Sequence, residues 1–96
     1  MARTPEGKVK RKVVAELASM GAYYFFPVMT GFGNSGIPDI VGCINGRFFA
    51  IECKAGNNKP TRLQISQMEE IVRCGGVALV INEDNIGEVR QTLEAL

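Results

Sequence analysis

The stretch Ile40-Val41-Gly42-Cys43-Ile44-Asn45-Gly46-Arg47-Phe48-Phe49-Ala50-Ile51-Glu52-Cys53-Lys54 decides how this chain folds. Two apolar runs flank Asn45-Gly46, a pair that readily takes the positive φ angles of a two-residue type I′ hairpin turn. With that turn, cross-strand partners carry numbers summing to 91: Ile44 faces Arg47, Cys43 faces Phe48, Val41 faces Ala50, and Asp39 faces Glu52. Two acids would then lie opposed on one face, with Cβ atoms about 4.5–5.5 Å apart. Strand alternation puts Lys54 on that same face and turns Cys53 away. Two bare carboxylates ~5 Å apart repel by roughly 3 kcal/mol at an effective dielectric of about 20. Lys54 offsets part of this. A hard divalent cation such as magnesium, which takes one or two protein carboxylates, would offset more. The alternative is a bulged hairpin, or acids that simply mark solvated strand ends.

Working outward, Thr4-Pro5-Glu6 reads as a helix start: a capping threonine, proline at the first helical position, and an acid in the first turn. Val9, Val13, Leu17 and Met20 follow at helical spacing until Gly21, predicting a helix from residue 5 to about residue 20. Ala22 to Val28, rich in aromatics, predicts a strand, and Thr30-Gly31-Phe32-Gly33-Asn34-Ser35-Gly36 a glycine-rich loop. On the other side, Gly56-Asn57-Asn58-Lys59-Pro60 is a loop. Thr61 caps a second helix whose Leu63, Met68, Ile71 and Val72 are expected to face a core before Gly75-Gly76 ends it. Val77 to Ile81 is wholly apolar and predicts a buried strand. Ile86, Val89, Leu93 and Leu96 predict a short last helix, their stripe facing either the core or a second copy of the chain. The order α-β-β-β-α-β-α describes an α/β fold of the α+β mixed-sheet kind, expected as one domain over residues 1–96.

Composition narrows the chemistry. The chain has 96 residues, 46% of them hydrophobic, enough for one core and no second one. It contains no histidine. That excludes Ser-His and Cys-His nucleophilic catalysis and histidine-ligated zinc, leaving carboxylates, lysine, tyrosine or cysteine, with a metal. Cys43, Cys53 and Cys74 form no CxxC pair, and three thiols cannot complete a zinc set that needs four ligands. They read as small buried apolar residues of a reducing compartment. No apolar run reaches the ~18–20 residues that span a bilayer, and the first residues lack a secretory pattern, so a cytoplasmic protein is expected. Net charge is only +1, but it is unevenly spread. Arg3, Lys8, Lys10, Arg11 and Lys12 make a basic start, and Glu83, Asp84, Glu88 and Glu94 an acidic end. Such poles can orient a protein on a phosphate backbone, or simply form solvated faces.

Gly36-Ile37-Pro38-Asp39 followed by Ile51-Glu52-Cys53-Lys54 reads as PD…ExK, the pattern of the PD-(D/E)xK nuclease superfamily. With Asn45-Gly46, Pro60-Thr61-x-x-Gln64 and Gly75-Gly76-Val77-Ala78-Leu79-Val80 in order, the chain resembles the virus-type replication-repair nuclease (VRR-NUC) domain, in the stand-alone form of phages and prokaryotes. The resemblance runs from Glu6 to about Asn82. It implies a restriction-endonuclease-like core and a Mg²⁺- or Mn²⁺-dependent DNA endonuclease. Asp39, Glu52 and the backbone carbonyl of Cys53 would ligate the metal, and Lys54 would position or activate the attacking water. Gln64 matches the family's glutamine near the site, although Gln67 lies one turn on. Glu6 matches an acid that often completes the site, and serves equally well as an ordinary acid of a helix start. The resemblance also implies a small homodimer cutting branched DNA, a four-way (Holliday) junction above all, as in DNA repair. Lys8, Lys10, Arg11, Lys12, Lys59 and Arg62 are candidate phosphate contacts, and Phe32 either stacks at a junction or belongs to an ordinary loop. The rival readings are a flap-directed or nonspecific nicking nuclease, and a catalytically silent DNA-binding module.

Overall fold

Asn45 and Gly46 take φ values of 51° and 80°, and this turn closes β2 (Ile40–Ile44) onto β3 (Arg47–Cys53). The computed structural model, which describes residues 4–28 and 36–96, confirms the hairpin register from Ile44↔Arg47 to Ile40↔Ile51. The hairpin is unbulged. Upstream of it lie α1 (Pro5–Ser19) and β1 (Tyr23–Phe25); downstream lie α2 (Arg62–Arg73), β4 (Val77–Ile81) and α3 (Gly87–Glu94). The sheet order is β1-β2-β3-β4. The first two pairings are antiparallel, and β3–β4 is parallel, with α2 as the crossover that a parallel pair requires.

Sheet alternation divides the work between two faces. Ile40, Phe49, Ile51, Cys53 and Ile81 point to one face and form a single cluster with Val9, Val13 and Leu17 of α1 and Val89 and Leu93 of α3. Each of these aliphatic or aromatic side chains contributes about 1.5–3 kcal/mol through removal from water. Thr4 caps α1, its hydroxyl accepting from Gly7 N at 2.9 Å. Arg90 fastens α3 to α1, reaching Glu16 at 3.0 Å and Glu94 at 2.7 Å. The stripe Ile86, Val89, Leu93 and Leu96 is therefore occupied by the core and does not offer a surface to a second copy.

The other face carries α2 over β3 and β4 only in part, and several sequence expectations change there. Met68 is the buried residue of α2, whereas Leu63 and Val72 are exposed. β4 is an edge strand, so only Ile81 is buried and Val80 reaches solvent. Cys43 and Cys74 are exposed as well, and only Cys53 is the small buried residue expected of all three. The aromatic strand is shorter than predicted, Tyr23–Phe25 rather than Ala22 to Val28. The charge poles also meet: Glu83 lines a pocket with Lys8 and Lys12, because the parallel strand β4 delivers its C-terminal end to the start of α1.

Gly42 shows how tightly the sheet is assembled. A Cβ there would sit 2.0 Å from the Tyr23 carbonyl oxygen and 2.7 Å from the Phe49 ring. Gly42→Ala is expected to destabilise the fold by about 3 kcal/mol or more, at the upper end of overpacking costs. Thermal and urea melts would show this, and an unchanged midpoint would contradict the register.

Candidate active site

The backbone ladder between β2 and β3 ends at Ile40↔Ile51, and Asp39 continues it with its side chain. Asp39 Oδ2 accepts a hydrogen bond from Cys53 N at 2.9 Å. Lys54 N turns the other way, to Ile81 O on β4 at 2.9 Å. In a strand the N–H and C=O of one residue leave by the same edge, so the carbonyl of Cys53 also faces the Asp39 side. Glu52, between Ile51 and Cys53, points to the α2 face and is only 3% exposed.

Around Glu52 the two oxygens fare differently. Oε2 accepts from Gln64 Nε2 at 2.7 Å and lies 3.5 Å from Lys54 Nζ. Oε1 is buried and has no hydrogen-bond partner among the described residues. Burial, and then the charge of Asp39, push the Glu52 carboxyl up from 4.5 to about 7 against the opposing pull of Lys54. Burial and the same two carboxylates push the Cys53 thiol up to about 12, so it stays protonated and unreactive.

Gln64 is placed by the start of α2. Thr61 and Gln64 form a capping box: Gln64 N donates to Thr61 Oγ1 at 3.2 Å, and Thr61 N donates to Gln64 Oε1 at 2.8 Å. With its carbonyl oxygen engaged by the cap, the amide nitrogen is the end that must face Glu52. Gln67 instead lines a separate cleft with Phe48, Glu70 and Ile71, which decides between the two glutamines.

Gly36 sets the distance between the halves of the site. Its φ is +85°, and an added Cβ would lie 2.5 to 2.7 Å from backbone atoms of Leu63 and Gln64. Only glycine lets the Gly36-Ile37-Pro38-Asp39 segment press this closely on the helix start. Gly36 and Thr61 were not legible as site residues. The available signals were a glycine three residues before Asp39 and the capping pattern itself.

The structure therefore brings together Asp39, Glu52, Cys53, Lys54 and Gln64. Glu6 lies apart, in a neighbouring cleft of about 590 Å³ lined by Ala55, Gly56, Asn58 and Glu83. Its charge is still felt at the Cys53 thiol. Among the described residues no three His, Cys, Asp or Glu side chains converge as a ready cation cage; the oxygen donors are one carboxylate pair and a backbone carbonyl. Lys59 and Arg62 are exposed beside the start of α2. On α1, Lys10 sits 4.4 Å over the Phe26 ring, Lys8 and Lys12 adjoin Glu83, and Arg11 is exposed. Phe32 lies outside the described residues.

Comparison with known proteins gives one point of reference. The chain is 28% identical over 87 residues to a protein named "Putative nuclease p44", from Acyrthosiphon pisum secondary endosymbiont phage 1. The alignment covers 88% of this chain and 89% of that protein. No family model matches the chain. No helix is long and apolar enough to cross a membrane among the described residues.

The raised Glu52 value has a consequence for stability. Between pH 4.5 and about 7 the folded protein keeps a proton that the unfolded chain releases. Stability of the metal-free protein is therefore highest at the acid end of that window and falls as pH rises through it, by up to about 3 kcal/mol. Urea melts in EDTA at pH 5 and pH 8 would measure the loss, and Glu52→Gln is expected to flatten it. A Glu52→Gln protein with the full wild-type slope would show that another group is responsible.

Proposed function

We propose that this chain is a metal-dependent DNA endonuclease of the VRR-NUC kind, hydrolysing phosphodiester bonds in branched DNA as a homodimer. The observation that carries this reading is Glu52. Its Oε1 is buried without a partner, beside a second carboxylate, while Lys54 and Gln64 hold its other oxygen. Such an arrangement raises the free energy of the protein alone, and a cation would lower it. Similarity to the phage protein named a nuclease supports the same reading.

The donors are hard oxygens, which suit Mg²⁺ or Mn²⁺ rather than a soft metal. Asp39, Glu52 and the Cys53 carbonyl would hold the ion, with Glu6 outside the set that the hairpin assembles. When bound, it would supply Lewis-acid stabilisation of charge on the phosphate and help to generate the nucleophile. The protein groups do the rest. Gln64, fixed by its cap, holds Oε2 of Glu52 and leaves Oε1 without a hydrogen bond. Lys54, largely buried with its ammonium beside Glu52, donates to the attacking water or to a phosphate oxygen as negative charge grows there. The water oxygen bonds to phosphorus, the P–O3′ bond breaks, and the products are a 5′-phosphate and a 3′-hydroxyl. Lys59 and Arg62, at the start of α2, flank the path of the phosphate backbone.

Junction selectivity and dimerisation rest on the VRR-NUC resemblance and on symmetry. Two matched cuts across a four-way junction need two sites at fixed separation, which a two-fold dimer provides.

Asp39→Ala, Glu52→Ala and Lys54→Ala are each expected to reduce Mg²⁺- or Mn²⁺-dependent cleavage by at least about a hundredfold while DNA binding survives. Undiminished cutting by Asp39→Ala in EDTA would refute the site. Duplex, flap, splayed-arm and four-way substrates, cut side by side and read with the solution mass, test the rest. A dimer that prefers the four-way substrate is expected; preferred flap or duplex cutting by a monomer would replace the junction reading with a nicking nuclease. Lys59→Ala with Arg62→Ala is expected to lower the slope of log affinity against log salt by about 1.8.

A further inference from the structure

We infer that the outer edge of β4 and the flank of α2 beside it form a two-fold interface with a second copy of this chain. The inference gives a face to the homodimer of the proposed function, and rests on that reading only for the dimer's use in cleavage. Strand alternation identifies the free backbone groups. Ile81 O accepts from Lys54 N, so the backbone groups of Leu79 and Ile81 face β3, and those of Ala78 and Val80 face away from the sheet. The Gly76 carbonyl faces outward too, because Val77 N on the same trans peptide points to β3. Val80 O already accepts from Asn85 Nδ2 at 3.0 Å, and Gly76 N donates to Ile71 O at 2.9 Å. Among the described residues, Gly76 O, Ala78 N, Ala78 O and Val80 N are left without partners on this edge.

That set is symmetric about Ala78. An antiparallel copy centred there sets Ala78 against Ala78 and Val80 against Gly76. Each Ala78 N–H then donates to the other copy's Ala78 O, and each Val80 N–H to the other copy's Gly76 O. The groups this register leaves over, Val80 O and Gly76 N, are the two already satisfied within the chain. The free donors and acceptors of one edge are therefore the ones that the other edge requires.

The helix repeats the symmetry. Ile65 and Val72, 43% and 55% exposed, lie seven residues apart on the flank of α2 that lines a groove with Ala78 and Val80. The midpoint of this stripe falls between Met68 and Glu69. α2 runs opposite to β4, and Gly76 is bonded to Ile71. Ala78, about 6.6 Å farther along the strand, is therefore level with a residue roughly four before Ile71, at the middle of α2. One two-fold axis serves both: it pairs the strand edges about Ala78 and sets Ile65 of each copy against Val72 of the other. The two helices then lie antiparallel, two strand spacings or about 10 Å apart, which is a normal distance for helices in contact. Charge agrees with this occupant. Arg62, Glu69 and Arg73 follow one another along the outer rim of α2, so with Glu69 near the axis Arg73 of each copy approaches Glu69 of the other. Among the described residues lining the groove, Glu69 is the one charged group, which disfavours a phosphate backbone there.

Sedimentation of the metal-free protein over a range of concentrations is expected to show a dimer that dissociates on dilution. Val72→Glu, at an exposed position, puts a charge from each copy into the contact. It is expected to raise the dissociation constant by about a hundredfold or more while the circular dichroism stays that of the wild type. Amide exchange read residue by residue tests the register. Ala78 and Val80, whose N–H groups face solvent in a monomer, should exchange at least about tenfold more slowly in the wild-type dimer than in Val72→Glu. A wild-type monomer at every concentration, an undiminished Val72→Glu dimer, or a dimer whose Ala78 and Val80 amides exchange as fast as in the variant would overturn the inference. A dimer with these amides protected that cuts no DNA would keep this face and remove the nuclease reading. Cleavage by a protein that stays monomeric would do the reverse.

Discussion

Glu52 is a carboxylate placed where a fold would ordinarily place a leucine, and the surrounding elements are arranged around that cost. The hairpin turn sets the register that buries it. Asp39 extends the ladder past its last backbone pair by accepting from Cys53 N, which fixes the second carboxylate beside the first. The capping box of α2 turns Gln64 toward one oxygen of Glu52, and Lys54 approaches the same oxygen from the next position in the strand. Each of these groups engages Oε2 or the backbone, and Oε1 is left bare. A buried charge with one satisfied and one empty oxygen is worse for stability than either a full network or an apolar residue. On the metal-dependent reading proposed above, a bound cation would supply the missing partner.

The hairpin was legible because its information is local. Asn45-Gly46 has few conformations that join two apolar runs, and once the turn is fixed every cross-strand pair follows by arithmetic. The same arithmetic reached Asp39 and Glu52, and the side-chain bond to Cys53 carries the pairing beyond the ladder. What the sequence did not reveal depends on contacts between distant segments. Locally Gly36 is marked only by standing three residues before Asp39; its role lies in the backbone of Leu63 and Gln64 against which it packs. Val77 to Ile81 looked buried because apolarity does not report whether a strand is central or at an edge. Likewise Leu63 and Val72 fit a helical stripe, yet α2 rests on only part of the sheet, and the stripe is wider than the surface available to cover it. The cysteines depart from a uniformly buried set for a related reason: alternation puts Cys43 and Cys53 on opposite faces, and only one face is fully covered.

Charge followed the same pattern. The basic start and acidic end are poles only along the chain. The parallel strand β4 returns Glu83 to the beginning of α1, where it accepts two contacts from Gly56 N and shares a pocket with Lys8 and Lys12. The positive field of α1 is weakened by that acid, whereas Lys59 and Arg62 stand exposed beside the start of α2.

A sheet of four strands has two faces, and in a chain this short they cannot both be core. The α1–α3 face holds most of the wholly buried side chains, including Phe49, Leu17, Ile51 and Leu93. It supplies the burial that a 96-residue protein needs. The opposite face is then free to hold groups that cost stability: a buried carboxylate, its near neighbour Asp39, and aromatic rings open to water. The division follows from strand alternation alone, since Ile51 and Cys53 must face one way if Glu52 and Lys54 face the other. Changes on the α1–α3 face should therefore act on folding, whereas changes at Glu52 on the α2 face act on the carboxylate pair and on stability together. Gly36 couples the two as well, because there backbone packs directly on the backbone of Leu63 and Gln64, so stability and the placing of Gln64 are the same contact.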